Sequence, residues 1–163
     1  MLLFLALACN ERLSPCEEAA LHDPTLVIAA GEERPTPIAS GEVLERVWGP
    51  QGGQHVWVGA LVSGLDPGEE LLGRIVSPGP DFEFSLDDES GSAWAWGARA
   101  QWPLDGDAAR AELAGVTLML DDRLVWQEES EEPLPETFTL RAYAIDACGV
   151  EVEAELPGLS LAP

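Results

Sequence analysis

Residues 138–155 read FTLRAYAIDACGVEVEAE, and the pattern of this stretch decides the fold. Phe138, Leu140, Ala142 and Ala144 alternate with Thr139, Arg141, Tyr143 and Ile145. Alternation with period two puts one face of a strand in a core and the other in water. Asp146-Ala147-Cys148-Gly149 then reads as a turn, and Val150, Val152 and Ala154 alternate with Glu151, Glu153 and Glu155. Two such runs across a Gly-containing turn predict a hairpin.

Working outward, the same grammar recurs. TLVIAA at 25–30, VLERVW at 43–48, Gln54 to Val62, LLGRIV at 71–76, residues 92–102, GVTLMLDD at 115–122 and RLVWQ at 123–127 are short apolar runs between turn signals. GPQGG, LDPGEE, SPGPD, LDGD and the acidic loop EESEEPLPE separate them. DAARAEL at 107–113 is too short for a stable helix between strands and reads as strand or loop. Gln54 to Val62 carries Val56, Val58, Ala60 and Val62 on one face and His55, Trp57, Gly59 and Leu61 on the other. With two apolar faces it is expected to be central. The expectation is an all-β sandwich of about seven to nine antiparallel strands over residues 24–163. The segment LRAYAIDACGVEVEAEL resembles the last hairpin of immunoglobulin-like bacterial modules, which implies an immunoglobulin-like sandwich.

The chain has 163 residues, one domain's worth, and 46% of them are hydrophobic, enough for a core. Thirty acidic residues face eight basic ones, all Arg, for a formal net charge of −22. Such a body repels phosphate backbones, so no nucleic-acid partner is expected.

The chain begins MLLFLALAC, with an unbroken apolar run from Leu2 to Ala8. Its length fits the apolar region of an export signal and is too short to span a membrane. Ala6-Leu7-Ala8-Cys9 resembles the bacterial lipobox. The resemblance implies a signal peptide over residues 1–8, lipidation of Cys9, a tether over 9–23 and attachment to the cell envelope through a membrane lipid anchor. Asn10 after the cysteine favours the outer membrane by the same analogy. If Cys9 carries lipid, Cys16 and Cys148 remain as an even pair for one disulfide in an oxidising compartment. The alternative is a Cys9–Cys16 bond with Cys148 buried. GPQGGQHVWVGALVSGL at 49–65 also resembles a segment of uncharacterised lipoproteins carrying GPQGG-x-H-x-W, which brings no activity with it.

Candidate binding residues are few. His55 opens a strand beside a Gly-rich turn, where a ring either binds a ligand or hydrogen-bonds a turn carbonyl. Trp94, Trp96 and Trp102 share strand parity and form either a sugar-stacking face or core filler. Gly97 offers a bulge that would shift that parity. There is no G-x-S-x-G, H-E-x-x-H or phosphate-binding loop, and no metal-ligand spacing, so neither catalysis nor a cofactor or metal is expected. The acidic clusters read as a solvated surface, with Asp105 and Asp107 the nearest approach to a calcium loop. The function expected is a non-catalytic binding or structural module with a protein or polysaccharide partner. A carbohydrate-binding module using the Trp face is the first alternative and an enzyme of unknown class the second.

Overall fold

The computed structural model describes residues 13–49, 53–99, 101–121 and 135–162. The expected leader, Cys9 and the 123–127 run lie outside the described residues. One short helix, α1 (Pro15–Ala19), precedes the strands β1 (Thr25–Ala30), β2 (Thr36–Pro37), β3 (Val43–Leu44) and β4 (Val47–Trp48). The chain continues through β5 (Gln54–Ser63), β6 (Glu69–Leu71), β7 (Arg74–Ser77), β8 (Asp81–Asp87) and β9 (Ala93–Arg99). It ends with β10 (Asp105–Asp107), β11 (Arg110–Leu120), β12 (Phe138–Ile145) and β13 (Glu151–Leu161).

Seven of these strands have six or more residues, namely β1, β5, β8, β9, β11, β12 and β13. They carry the all-β sandwich-like fold that the alternation predicts. One sheet runs in the order β2-β1-β5-β11-β9-β8-β12-β13-β3, antiparallel except for the β13–β3 pair. It curls so that β1 lies against β12 and β13 without pairing with them. The two layers are therefore opposite arcs of a single sheet. β5 is central, paired with β1 on one side and β11 on the other.

The core comes from the inward positions of the alternating runs. Val56, Val58, Ala60 and Val62 of β5 meet Phe82, Phe84 and Leu86 of β8 and Phe138, Leu140, Ala142 and Ala144 of β12 in one buried cluster. Each fully buried Val, Leu or Phe among them contributes roughly 1.5–3 kcal/mol. Residues 107–113 are the β10–β11 turn and the start of β11, as strand-or-loop requires.

Two stretches depart from expectation. The LLGRIV run builds no core strand: it is the body of a separate two-stranded sheet, β6–β7, with Leu71, Leu72, Ile75 and Val76 exposed. The segment expected as a tether is folded from Ser14 onward. Ser14 caps α1 through a reciprocal capping box with Glu17, and Ala19 is buried.

Candidate functional site

Two features stand out on the described surface: a trough on the outer face of the sheet, and a pole where the N-terminal segment joins the fold.

The trough begins at the β8–β9 hairpin. Phe82, Phe84 and Leu86 point into the core, and their partners on β9 are Arg99, Gly97 and Ala95. Ala95 and Gly97 therefore face inward and Trp96 faces out, 60% exposed. Trp94 shares parity with Trp96 in sequence but is only 6% exposed. The ladder explains the reversal: Asp87 pairs with Ala93 and Leu86 with Ala95, so Trp94 is an extra residue in a bulge. Its ring meets Phe138 edge-on at 6.3 Å, and its Nε1 donates to Asp88 Oδ2 at 2.8 Å. The expected common face of three indoles is thus divided. Trp94 belongs to the core, Trp96 to the outer face, and Trp102, 53% exposed, to the loop after β9. The shift lies at Trp94 and not at Gly97. A Cβ on Gly97 would stand 2.6 Å from the Thr117 carbonyl oxygen, so glycine there lets β9 approach β11.

From Trp96 the outer face continues in register through Ser85 on β8, Arg141 on β12 and Glu155 on β13. Beside this row lie Glu83, Tyr143 and Glu153. Together they wall an open trough of about 250 Å³. Arg141 is held between two carboxylates: its Nε lies 3.0 Å from Asp87 Oδ2, and its Nη1 pairs with Glu155 Oε1. Ser85 Oγ also donates to Asp87, at 3.0 Å. Desolvation holds the Tyr143 phenol above its ordinary pKa, and the neighbouring Glu151, Glu83 and Glu153 add to that, so it stays a hydroxyl donor at neutral pH. Sequence reasoning names Trp96 here and misses Arg141 and Glu155. Counting back from the turn at 146–149 sets the two opposite each other, so the signal was present.

His55 lies elsewhere, 8% exposed, opposite Val47 and Met119. Its ring meets Trp57 edge-on at 4.9 Å, and its Nε2 has no hydrogen-bond partner among the described residues. The turn beside it is held by Gly49 N–H donating to the Gly53 carbonyl at 2.8 Å. Asp107, named with the acidic clusters, accepts from the Ala109 and Arg110 N–H groups and so closes the β10–β11 turn. No group of three or more potential metal ligands occurs among the described residues.

At the opposite end of β5, Cys16 and Cys148 form a disulfide with Cα atoms 5.6 Å apart. Asp146 shapes this pole. Its Oδ1 accepts from Cys148 and Val150 N–H, and its Oδ2 accepts from Asp66 N–H at 2.8 Å. Asp66 in turn accepts from Gly68 N–H, at the neck of the β6–β7 hairpin. Four connections (α1 to Cys148, Cys148 to Asp146, Asp146 to Asp66, Asp66 to Gly68) fasten the N-terminal segment to that hairpin. No helix among the described residues is long and apolar enough to cross a membrane.

Comparison of the chain with protein-family models, with curated proteins and with solved structures finds no match.

Proposed function

We propose that the chain is an exported cell-envelope lipoprotein, anchored through lipid on Cys9, whose β-sandwich is a non-catalytic binding module. The observation that carries this reading is the Cys16–Cys148 disulfide. Such bonds persist in oxidising compartments. Of three cysteines it leaves Cys9, the one preceded by an apolar run ending in Ala-Leu-Ala. The strongly negative surface keeps the domain soluble and away from anionic headgroups.

The test is the mass of the mature N-terminus after expression in a Gram-negative host. The expected product starts at an acylated Cys9. An unmodified Cys9, or a product retaining residues 1–8, overturns the anchor.

A second reading concerns what the module binds, and the exposed Trp96 favours it. An indole face, a guanidinium fixed by two carboxylates and a phenol hydroxyl line a trough three strand spacings long, about 14 Å. Aromatic stacking with oriented polar groups suits a sugar, and the carboxylate excess disfavours acidic ones. A glycan array is expected to show neutral saccharides bound by the parent chain and lost with Trp96→Ala. A blank array, or unchanged binding by that variant, overturns the saccharide reading and leaves the anchor untouched.

A further inference from the structure

The β6–β7 hairpin serves neither role and breaks two local rules. Leu71, Leu72, Ile75 and Val76 are all exposed, and Leu72 is 94% exposed. Leu72 and Gly73 both have positive φ, 52° and 75°, at the tip of the hairpin. A two-residue hairpin turn of this hand favours Asn or Gly at both places, because a side chain there is strained. The tip thus carries a large aliphatic group where folding and solubility both favour Asn. A local rule broken without folding benefit points to function.

Its position supplies the partner. Glu69 and Ser77, at the base of the hairpin, line the same shallow depression as Leu13 and Pro15. The neck at Gly68 connects through Asp66, Asp146 and the disulfide to Cys16. Three residues lie between Cys9 and Leu13, so four Cα-to-Cα steps give a reach of about 14 Å at full extension. An anchor at Cys9 therefore holds this pole against a bilayer.

We propose that the β6–β7 hairpin is a membrane-contact finger, which seats Leu72 and its neighbours in the interfacial layer of a bilayer while the chain is held there through Cys9. The inference rests on the anchored-lipoprotein reading. A flexible lipid attachment at Cys9 fixes the position of the chain but not the orientation of the domain, and a second apolar contact supplies that orientation. The negative surface directs the contact to neutral, zwitterionic lipid.

The test does not require native acylation. With Cys16 and Cys148 bonded to each other, Cys9 is the remaining thiol, and the full chain can be coupled through it to phosphatidylcholine vesicles bearing a maleimide lipid. Amide hydrogen exchange over residues 69–77 is then compared between coupled and uncoupled protein. Coupling is expected to slow exchange in this segment at least tenfold. The Leu72→Asn variant, whose new side chain suits the turn, is expected to melt at the same temperature or higher and to lose that protection. Equal exchange in coupled and uncoupled protein overturns the proposal. So does protection that appears in uncoupled protein as its concentration rises, which would assign the hairpin to contact with a second copy. Failure of native acylation overturns the anchor alone and leaves this measurement readable.

Discussion

Two turns of this molecule have nearly the same local chemistry and opposite tertiary duties. In Asp88-Glu89-Ser90-Gly91, Asp88 Oδ1 accepts from the N–H groups two and four residues on, and Gly91 N–H donates to the Asp88 carbonyl. In Asp146-Ala147-Cys148-Gly149 the same three bonds recur. Each turn ends on a glycine at positive φ, 82° for Gly91 and 79° for Gly149. What differs is the second carboxylate oxygen. On Asp88 it accepts from the Trp94 indole and holds the bulged ring in the core. On Asp146 it crosses the fold to Asp66, and the turn it steadies carries the disulfide. One oxygen makes the turn, and the other decides what the turn is for.

The comparison can be broken at either turn, with effects of different size. The largest is expected from Cys16→Ser with Cys148→Ser, because only the second turn carries a staple. A bond closing a loop with a sequence separation of 132 contributes about 5 kcal/mol in the chain-entropy model, read as the loss in denaturant-unfolding free energy. Trp94→Ala comes next, at about 4 kcal/mol by the same measurement, since it empties a core site. Asp146→Ala is expected to cost about 2–3 kcal/mol, because the Asp66 N–H loses its acceptor beneath the surface. Trp96→Ala, two residues from Trp94, should stay within about 0.5 kcal/mol of the parent. A cost comparable to that of Trp94→Ala would refute the division of the two indoles.

The smallest effect is a pH dependence. Hydrogen bonds from Ser90, Trp94 and Ser92 hold the Asp88 carboxyl well below the ordinary aspartate range. A group lowered on folding stabilises the fold above its unfolded pKa, about 3.9, and loses that contribution as pH falls through its folded value. Acid titration of the Trp94 near-ultraviolet signal should therefore show a late step in the parent. Asp88→Asn should lack it.

How far the sequence reaches can be judged from these same elements. Alternation from Phe138 to Ala154 reports burial directly, because a regular strand leaves each side chain no choice of face. Trp94 is illegible by that rule. The residue that shifts the register is ordinary alanine-tryptophan sequence, and its cause is an indole seeking an acceptor six residues back. The 71–76 run is illegible for another reason: hydropathy records what a residue prefers, and an exposed apolar hairpin runs against that preference. The Asp66–Asp146 link joins residues 80 apart, and no local pattern announces it.

The Cys16–Cys148 bond also fixes where mechanical load enters the molecule. Tension on the leading segment passes through the disulfide into the β12–β13 turn before it reaches β1. The first strand is spared from being peeled off its neighbour one rung at a time. Tugging at the front of the chain therefore loads the covalent bond and the β12–β13 ladder before any rung of β1.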